Sequence, residues 1–573
     1  MVDWQAPHQG GGFEMTDSGR ETAAMQGRGH RMILAVSSGA MLGAAFPPSP
    51  AHSLAYVGLI PLLLLLETLD TTWSKLRYSY LSLLILHVIT LYWIGGFVVG
   101  KDVWMMVAGG AVLIVHPLFY SVVIFLYVLV RNRMGLVPGL IFLVLGWVGF
   151  EYSHSLTEFS FPWITLGNSQ AYDLQRMQIA EFTSSYGLSF LILLFNAVGF
   201  VLISNLAARR WRYRSRPALL ACSMLLVIYF IPWLYGSLKM RSVGEMNDGR
   251  KVSVGIVQPN IDPWEKWNSG GGNPWPSYER QLEGYVRETK TLSAAHPDLI
   301  VWPETAIPFR ILLPGNQMYW RWLRTSLDSA RATVLTGLPF TVFYDSASAP
   351  PSASYDRFHH TFYDDYNSAA LLVPGEPVGS VYKKIVLVPF AERIPYANTL
   401  NFLIEPLKWN VGIGMWGKGK DTVLFSLRTP ESRELKFASM ICYESVYPNF
   451  VREFVQRGAS FLVIITNDSW WGNTPGAYQH ASYASIRAIE NRRWIVRAAN
   501  GGISGFIDPS GVYHHRTMLY SAATLHGTIA AGTELTFYAR HGDIFAQICL
   551  ALATIMFLLF FIPQRNRAAD NDQ

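Results

Sequence analysis

Phe437-Ala-Ser-Met-Ile-Cys-Tyr-Glu444 sets one cysteine at the end of a run of small and apolar residues. Two further segments share that design. In Leu299-Ile-Val-Trp-Pro-Glu304 an apolar run is stopped by proline, and a carboxylate stands just beyond it. In Tyr382-Lys-Lys-Ile-Val-Leu-Val-Pro-Phe-Ala-Glu392 two lysines precede an apolar stretch that reads as a strand. Short runs of this kind are buried strands, and ligands approach an α/β sheet at strand ends. Outward from these segments the pattern repeats. Strands are expected at 251–257, 299–302, 333–338, 369–373, 436–442, 461–466, 494–499 and 503–507, with a helix over about 478–492. Strands alternating with polar, helix-compatible stretches make an α/β domain. The Ser-, Pro- and Asp-rich segment 341–367 reads as a surface excursion.

The rest of the chain has a different character. Half of the 573 residues are hydrophobic and only 15% are charged, against about 25% in an ordinary soluble chain. The mean hydropathy is +0.20. Such a chain is not disordered, collagenous or wholly soluble. Apolar runs recur at 32–48, 52–67, 79–99, 104–130, 134–152, 186–206 and 217–237, and an eighth spans 544–563. A helix of about 20 apolar residues crosses the hydrocarbon of a bilayer. The first two runs are short and joined by a turn holding Pro47, Pro48 and Pro50, which suits a helical hairpin. The expected layout is a flexible tail over 1–31, a seven-helix membrane domain over 32–238 and a soluble domain over 239–540. A closing membrane helix over 541–563 and a tail over 564–573 complete it.

Orientation follows from lysine and arginine in the short loops. Alternate segments hold fourteen of them, including Arg77, Arg131, Arg133 and the cluster Arg209–Arg216, whereas the opposite loops hold two, Lys101 and Arg176. Both tails should therefore be cytoplasmic, with the soluble domain on the far side. Three cysteines, Cys222, Cys442 and Cys549, exclude a disulfide framework or a Cys-rich zinc site.

A thiol nucleophile needs a base for its proton, a cation that favours the thiolate and a donor for the oxyanion. Glutamate, lysine and cysteine meet those needs without histidine. At this point the sequence resembles a known family. The soluble part looks like the nitrilase, or carbon–nitrogen hydrolase, superfamily. With seven helices before it and one after, residues 32–563 resemble the apolipoprotein N-acyltransferases. The motifs are Val-Trp-Pro-Glu304, Tyr-Lys-Lys384 with Leu387-Val-Pro-Phe, and Cys442-Tyr-Glu444. Thr466-Asn-Asp-Ser-Trp-Trp-Gly472, Arg487-Ala-Ile-Glu490 and Arg497-Ala-Ala-Asn-Gly501 add to them.

The resemblance implies a polytopic α-helical membrane domain of about eight spans joined to a nitrilase-like α-β-β-α sandwich. It implies Glu304 as general base, Lys384 as stabiliser of oxyanion and thiolate, and Cys442 as nucleophile. Glu392, Tyr443 and Glu444 match supporting positions, and Trp267 matches a tryptophan near the substrate. Lys384 is preferred to Lys383 because it stands three residues before Leu387, and a slip of one residue turns a strand side chain to the other face. Ala391 departs from the family's usual glycine. The implied reaction moves an acyl chain from a phospholipid to Cys442, then to the amine of a diacylglyceryl-apolipoprotein. It uses no cofactor or metal and takes place at the bacterial inner membrane with a periplasmic catalytic domain. Phe309, Trp320 and Trp322 suit acyl-chain contact less well than core packing.

Other readings are weaker. A membrane-tethered amidase or nitrilase would use water as acceptor, but one helix would suffice as its tether. A transporter would carry more intramembrane charge than Glu151 and His154 near one helix end. Gly412-Ile-Gly-Met-Trp-Gly-Lys418 has Gly419 where a phosphate loop needs Ser or Thr, so no nucleotide is expected. His359-His360 and His514-His515 lack metal-ligand spacing. The basic cluster after a membrane helix is an anchor rather than a nucleic-acid site.

Overall fold

The structure is a computed structural model. It describes residues 17–97, 99–100, 103–245, 250–266, 275–350, 353–396, 399, 416–429 and 432–561. Each apolar run contains helix. The helices are Asp17–Ala44, Ala55–Gly58 leading into Ile60–Glu67, Thr72–Leu91, Val103–Met134, Leu136–Ser155, Ala180–Ala207, Arg216–Glu245 and Ile544–Leu559. Among the described residues five stretches are long and apolar enough to cross a membrane: Thr72–Gly95, Met105–Met134, Leu136–Ser155, Ala180–Ala207 and Arg216–Val243. His52–Glu67 and Ile544–Leu559 are apolar but shorter. The first helix begins at Asp17, inside the segment expected to be a tail.

Leu63, Leu86, Ile124, Leu143, Trp147 and Ile192 are buried in one cluster between these helices. Ile114, Leu118 and Val122 are exposed on the outside of Val103–Met134, as a face toward lipid tails would be. Several polar groups inside are paired with one another or with the backbone, as a medium without water favours. His87, His116 and His154 form a buried file with ring nitrogens 2.9 and 3.0 Å apart, and Glu151 accepts from Leu166 N at 2.7 Å.

Contacts sort the helix ends into two sets. At one end Arg131 binds Glu67 at 2.9 Å, and Arg133 stands 4.9 Å over the Phe560 ring. At the other end Trp93 and Trp163 pack at steep angles against Trp471 and donate to Gln479 Oε1 at 3.1 and 2.8 Å. The α/β domain therefore sits on one end of the helices.

Among the described residues that domain holds thirteen strands: β1 Arg250–Gln258, β2 Leu299–Val301, β3 Val334–Tyr344, β4 Ser354–Asp356, β5 Thr361–Leu372, β6 Val381–Lys383, β7 Phe425–Thr429, β8 Ser432–Ile441, β9 Phe461–Thr466, β10 Ile495–Ala499, β11 Gly505–Ile507, β12 Tyr513–His514 and β13 Ala523–Ala531. They form two mixed sheets. The first runs β13-β1-β2-β3-β5-β4, with β6 also on β5, and the second runs β12-β11-β10-β9-β8-β7. In each, three parallel strands form the centre (β1, β2, β3 and β8, β9, β10). Parallel strands need both faces covered. Val252, Val254 and Ile256 of one sheet meet Met440, Leu462 and Ile464 of the other in a shared core. Helices Trp275–Ser293 and Gln317–Ala330 cover the first sheet's outer face through Leu282, Tyr285, Leu323 and Leu327. Pro448–Gln456 and Pro475–Asn491 cover the second through Phe454 and Ala488. This is the α-β-β-α sandwich.

Two local expectations need correction. Segment 341–367 is mostly strand: Thr341–Tyr344 of β3 pair with Phe362–Asp365 of β5. The alternating aromatic and β-branched residues on either side outweigh the turn residues between them. Ile385–Val388 is not a strand, because the amides of Ile385 and Val386 turn to the Glu444 carboxylate at 2.6 and 3.1 Å.

Candidate active site

Pro303 ends β2, since it has no amide hydrogen to continue the ladder. The turn beyond it carries Glu304. It packs so closely on β3 that a Cβ at Gly337 would stand 2.3 Å from Thr305 N and 2.8 Å from Glu304 Cα. Thr305 is left-handed, with φ of +47°, an uncommon state for a β-branched residue. Asn367 Nδ2 donates to Glu304 Oε1 at 2.7 Å. On the other side, the buried Lys266 donates to Glu304 O and Thr305 Oγ1, both at 2.9 Å.

Lys384 follows β6 directly. Its amide donates to Asn367 O at 2.8 Å. Its Nζ lies 2.8 Å from Glu392 Oε1 and 3.7 Å from Glu304 Oε1, with the side chain 1% exposed. Lys383 points away, its Nζ 5.1 Å over the Tyr366 ring. Glu392 is fixed in turn by Val388 N at 2.9 Å. The left-handed residue in this loop is Phe390, at φ of +64°. Ala391, where the resemblance has glycine, carries no positive φ.

Cys442 comes from the second sheet. It follows β8 and opens a short 3-10 turn, itself left-handed at φ of +52°. Glu444 ties this turn to the lysine segment. Its carboxylate accepts from Ile441 N at 2.8 Å, Tyr382 OH at 2.6 Å and the amides of Ile385 and Val386. The Cys442 carbonyl is held by Ser445 Oγ at 2.8 Å and His480 Nε2 at 3.1 Å. His480 Nδ1 lies 2.8 Å from Asp468 Oδ1, and Arg497 binds Asp468 Oδ2 at 2.7 Å, all of them buried. Tyr443 points the other way and donates to Ser160 O, beyond the Leu136–Ser155 helix, at 2.9 Å.

Burial pushes the Cys442 thiol up, and the Glu304 charge adds to this while Lys384 pulls it down. The resting group is a thiol that needs a base. Burial also raises Glu304, against the pull of Lys384. A carboxylate raised in this way is the better proton acceptor near neutral pH. Burial would discharge Lys384, but the Glu392 and Glu304 carboxylates outweigh it and hold the ammonium. The cluster therefore brings together a thiol, a carboxylate of raised proton affinity and a fixed cation. Among the described residues no His, Cys, Asp and Glu cluster could hold a metal ion.

The family model for the apolipoprotein N-acyltransferase N-terminal domain matches residues 38–198, and the carbon–nitrogen hydrolase model matches 253–533. The apolipoprotein N-acyltransferase of Chlorobaculum tepidum is 34% identical over 540 residues, covering 93% of this chain and 97% of that protein. The chain belongs to the apolipoprotein N-acyltransferase family. The Geobacter metallireducens member is 34% identical over 537 residues, covering 92% of this chain and 95% of that one. The Gloeobacter violaceus member is 29% identical over 560 residues, with 94% and 96% covered. This family member is an acyltransferase that pairs a membrane domain with a nitrilase-like domain.

Glu304, Lys384, Glu392 and Glu444 thus share one polar cluster with the Cys442 turn. Trp267 lies outside the described residues, as does most of Gly412–Lys418; Lys418 itself binds Glu158 at 3.0 Å. Phe309 is in the core, Trp320 is partly buried against it, and Trp322 is 40% exposed rather than packed. His359 and His514 each pair with an aspartate. Sequence reasoning missed Asn367, which fell in the supposed excursion. It also missed Lys266 and His480; the tripeptide Trp-Glu-Lys266 and the lone His480 inside a helix gave no chemical signal of their own.

Proposed function

We propose that this enzyme acylates the N-terminal amine of diacylglyceryl-apolipoproteins from a phospholipid through a thioester on Cys442. Glu304 takes the Cys442 proton as sulfur attacks an acyl ester of the phospholipid. Lys384 faces the oxyanion. The tetrahedral intermediate collapses, the ester C–O bond breaks, and the lysophospholipid leaves with the proton from Glu304. The acceptor amine then attacks the thioester and gives a proton to Glu304. The C–S bond breaks, an amide remains, and the thiol is restored.

The observation that carries this reading is the placement of Cys442. The turn that holds it faces the membrane helix ends, with Tyr443 on Ser160. A cavity of about 290 Å³ lies between the two parts near Tyr447, lined by Ser155, Leu156 and Glu158 from the membrane part and Val386, Leu387 and Arg393 from the lysine segment, though not by Cys442, Glu304 or Lys384 themselves. Both substrates would be lipids lying in the adjacent leaflet. The basic residues Arg131 and Arg133 gather at the helix ends remote from this domain. They support cytoplasmic termini and a periplasmic catalytic domain in a bacterial inner membrane.

The test is direct. Purified protein is incubated with phospholipid, then with a diacylglyceryl-cysteinyl peptide, and both are weighed by mass spectrometry. The expected result is one acyl chain on Cys442, then one on the peptide amine. No adduct on Cys442, or release of free fatty acid in place of the acylated peptide, would refute the proposal.

A further inference from the structure

Lys266 has no part in the steps above, yet its side chain is fully buried beside the base. Burying an ammonium costs several kcal/mol unless a counter-charge offsets it. Among the described residues its side-chain hydrogen-bond partners, Glu304 O and Thr305 Oγ1, are neutral. The charge acting on it is that of Glu304, which offsets part of the burial that drives Lys266 down to about 7. The groups facing Glu304 are Lys384, Glu392, Lys266 and Cys442. Glu444 acts on Lys384 from beyond. Lys384 contacts both Glu304 and Glu392, whereas Lys266 acts on Glu304 alone. With Lys266 gone, one cation fewer would offset the burial of Glu304, and that carboxylate would hold a proton more readily. A protonated Glu304 cannot accept the thiol proton.

We propose that Lys266 is a positioning residue for the base: its ammonium pins the Glu304–Thr305 turn and keeps the Glu304 side chain ionised. The turn needs such a pin. Thr305 is left-handed, and Gly337 already presses on the backbone from below. Lys266 grips the carbonyl of Glu304 and the hydroxyl of Thr305 from the other side, so one ammonium fixes both the shape and the charge of the base. On the acid side Lys266 carries its proton. This inference rests on Glu304 acting as base to Cys442.

The test measures alkylation of Cys442 by iodoacetamide against pH, using full-length protein in detergent. In Lys266→Met the acid limb of the profile should move up by about one pH unit, and the plateau should fall. Lys266→Gln keeps a donor toward the turn but no charge; its limb should move as far while its plateau falls less. Thr305→Ala keeps the charge and loses one partner; its limb should stay in place. A limb that stays put in both Lys266 variants would overturn the proposal, even with a lower plateau, because that would mark a brace without an electrostatic role. If Lys266→Met does not fold, Lys266→Gln carries the same decision. A Glu304→Gln protein that keeps the wild-type limb would overturn this inference together with the assignment of the base. Wild-type protein that alkylates as expected but takes no acyl chain from phospholipid vesicles would refute the donor alone, and a shifted limb in the Lys266 variants would still support the inference.

Discussion

Glu304 and Cys442 meet from different sheets, and each arrives at a left-handed strand end. Thr305 follows the base at φ of +47°, and Cys442 itself stands at +52°. The two ends are braced in different ways. On the Glu304 side the brace is an ammonium, Lys266, that contacts the backbone of the turn and acts on the Glu304 carboxylate. On the nucleophile side it is the ion pair of Asp468 and Arg497, which reaches Cys442 through His480 and a carbonyl oxygen. Changes on the base side should therefore move proton equilibria, and changes on the nucleophile side should move geometry and stability.

The largest effect is expected at the centre. Cys442→Ala should abolish the acyl adduct, and an adduct of undiminished yield would sink the assignment. Cys222 and Cys549, one exposed and one buried on membrane helices, should be dispensable for the adduct. Glu304→Gln keeps shape and hydrogen bonding but loses the base. Adduct formation should slow by about 10²- to 10⁴-fold. Lys384→Ala should be at least as slow, since one oxyanion donor is worth about 10²- to 10³-fold and Glu392 would also lose its partner.

The contrast sharpens when stability is measured instead. Arg497 and His480 hold Asp468 below the usual carboxylate range despite its burial. A depressed carboxylate contributes stability above its unfolded pKa, about 3.9, and loses it only on acidification below that. Asp468→Asn leaves Arg497 buried without its partner and should cost about 3–5 kcal/mol, uniformly from about pH 5 to 8. Glu304 has the opposite sign. Its raised pKa gives stability that is full below about 4.3 and falls as pH rises through the folded value. Glu304→Gln should therefore cost little stability at neutral pH while activity collapses. Thermal denaturation of both variants in detergent checks this. Equal loss of stability in the two would erase the distinction between the braces.

The parts legible in the sequence were those whose signal is local. Continuous apolar runs gave the membrane helices, and β9 appears with the bounds expected of it, because all six of its residues are buried. Strands paired at an edge were not legible. β7 alternates buried and exposed residues over only five positions, Phe425–Thr429, and β13 is mostly half-exposed. The segment after Lys384 misled because its apolar residues suit a strand, while the hydrogen bonds that decide its course go to Glu444, 59 residues from Ile385. Asn367, Lys266 and His480 show the same limit. Each becomes chemical only through a partner brought near by the sandwich.

The smallest expected effect tests the register of β6. Lys383 and Lys384 carry the same group one residue apart, and a strand sends neighbours to opposite faces. Lys383 is the last residue of β6, opposite Ser368. Its Nζ rests over the Tyr366 ring rather than among carboxylates. A half-buried contact of that kind is worth about 0.5–2 kcal/mol, and it belongs to folding rather than to the reaction. Lys383→Ala should therefore form the acyl adduct at close to the wild-type rate, with a slightly lower melting temperature. Measured beside Lys384→Ala, it separates loss of a lysine from loss of the lysine that faces Glu304. An inactive Lys383→Ala with a Lys384→Ala that turns over normally would place the wrong side chain at the oxyanion, and the base side of the site would have to be rebuilt around the other face of the strand.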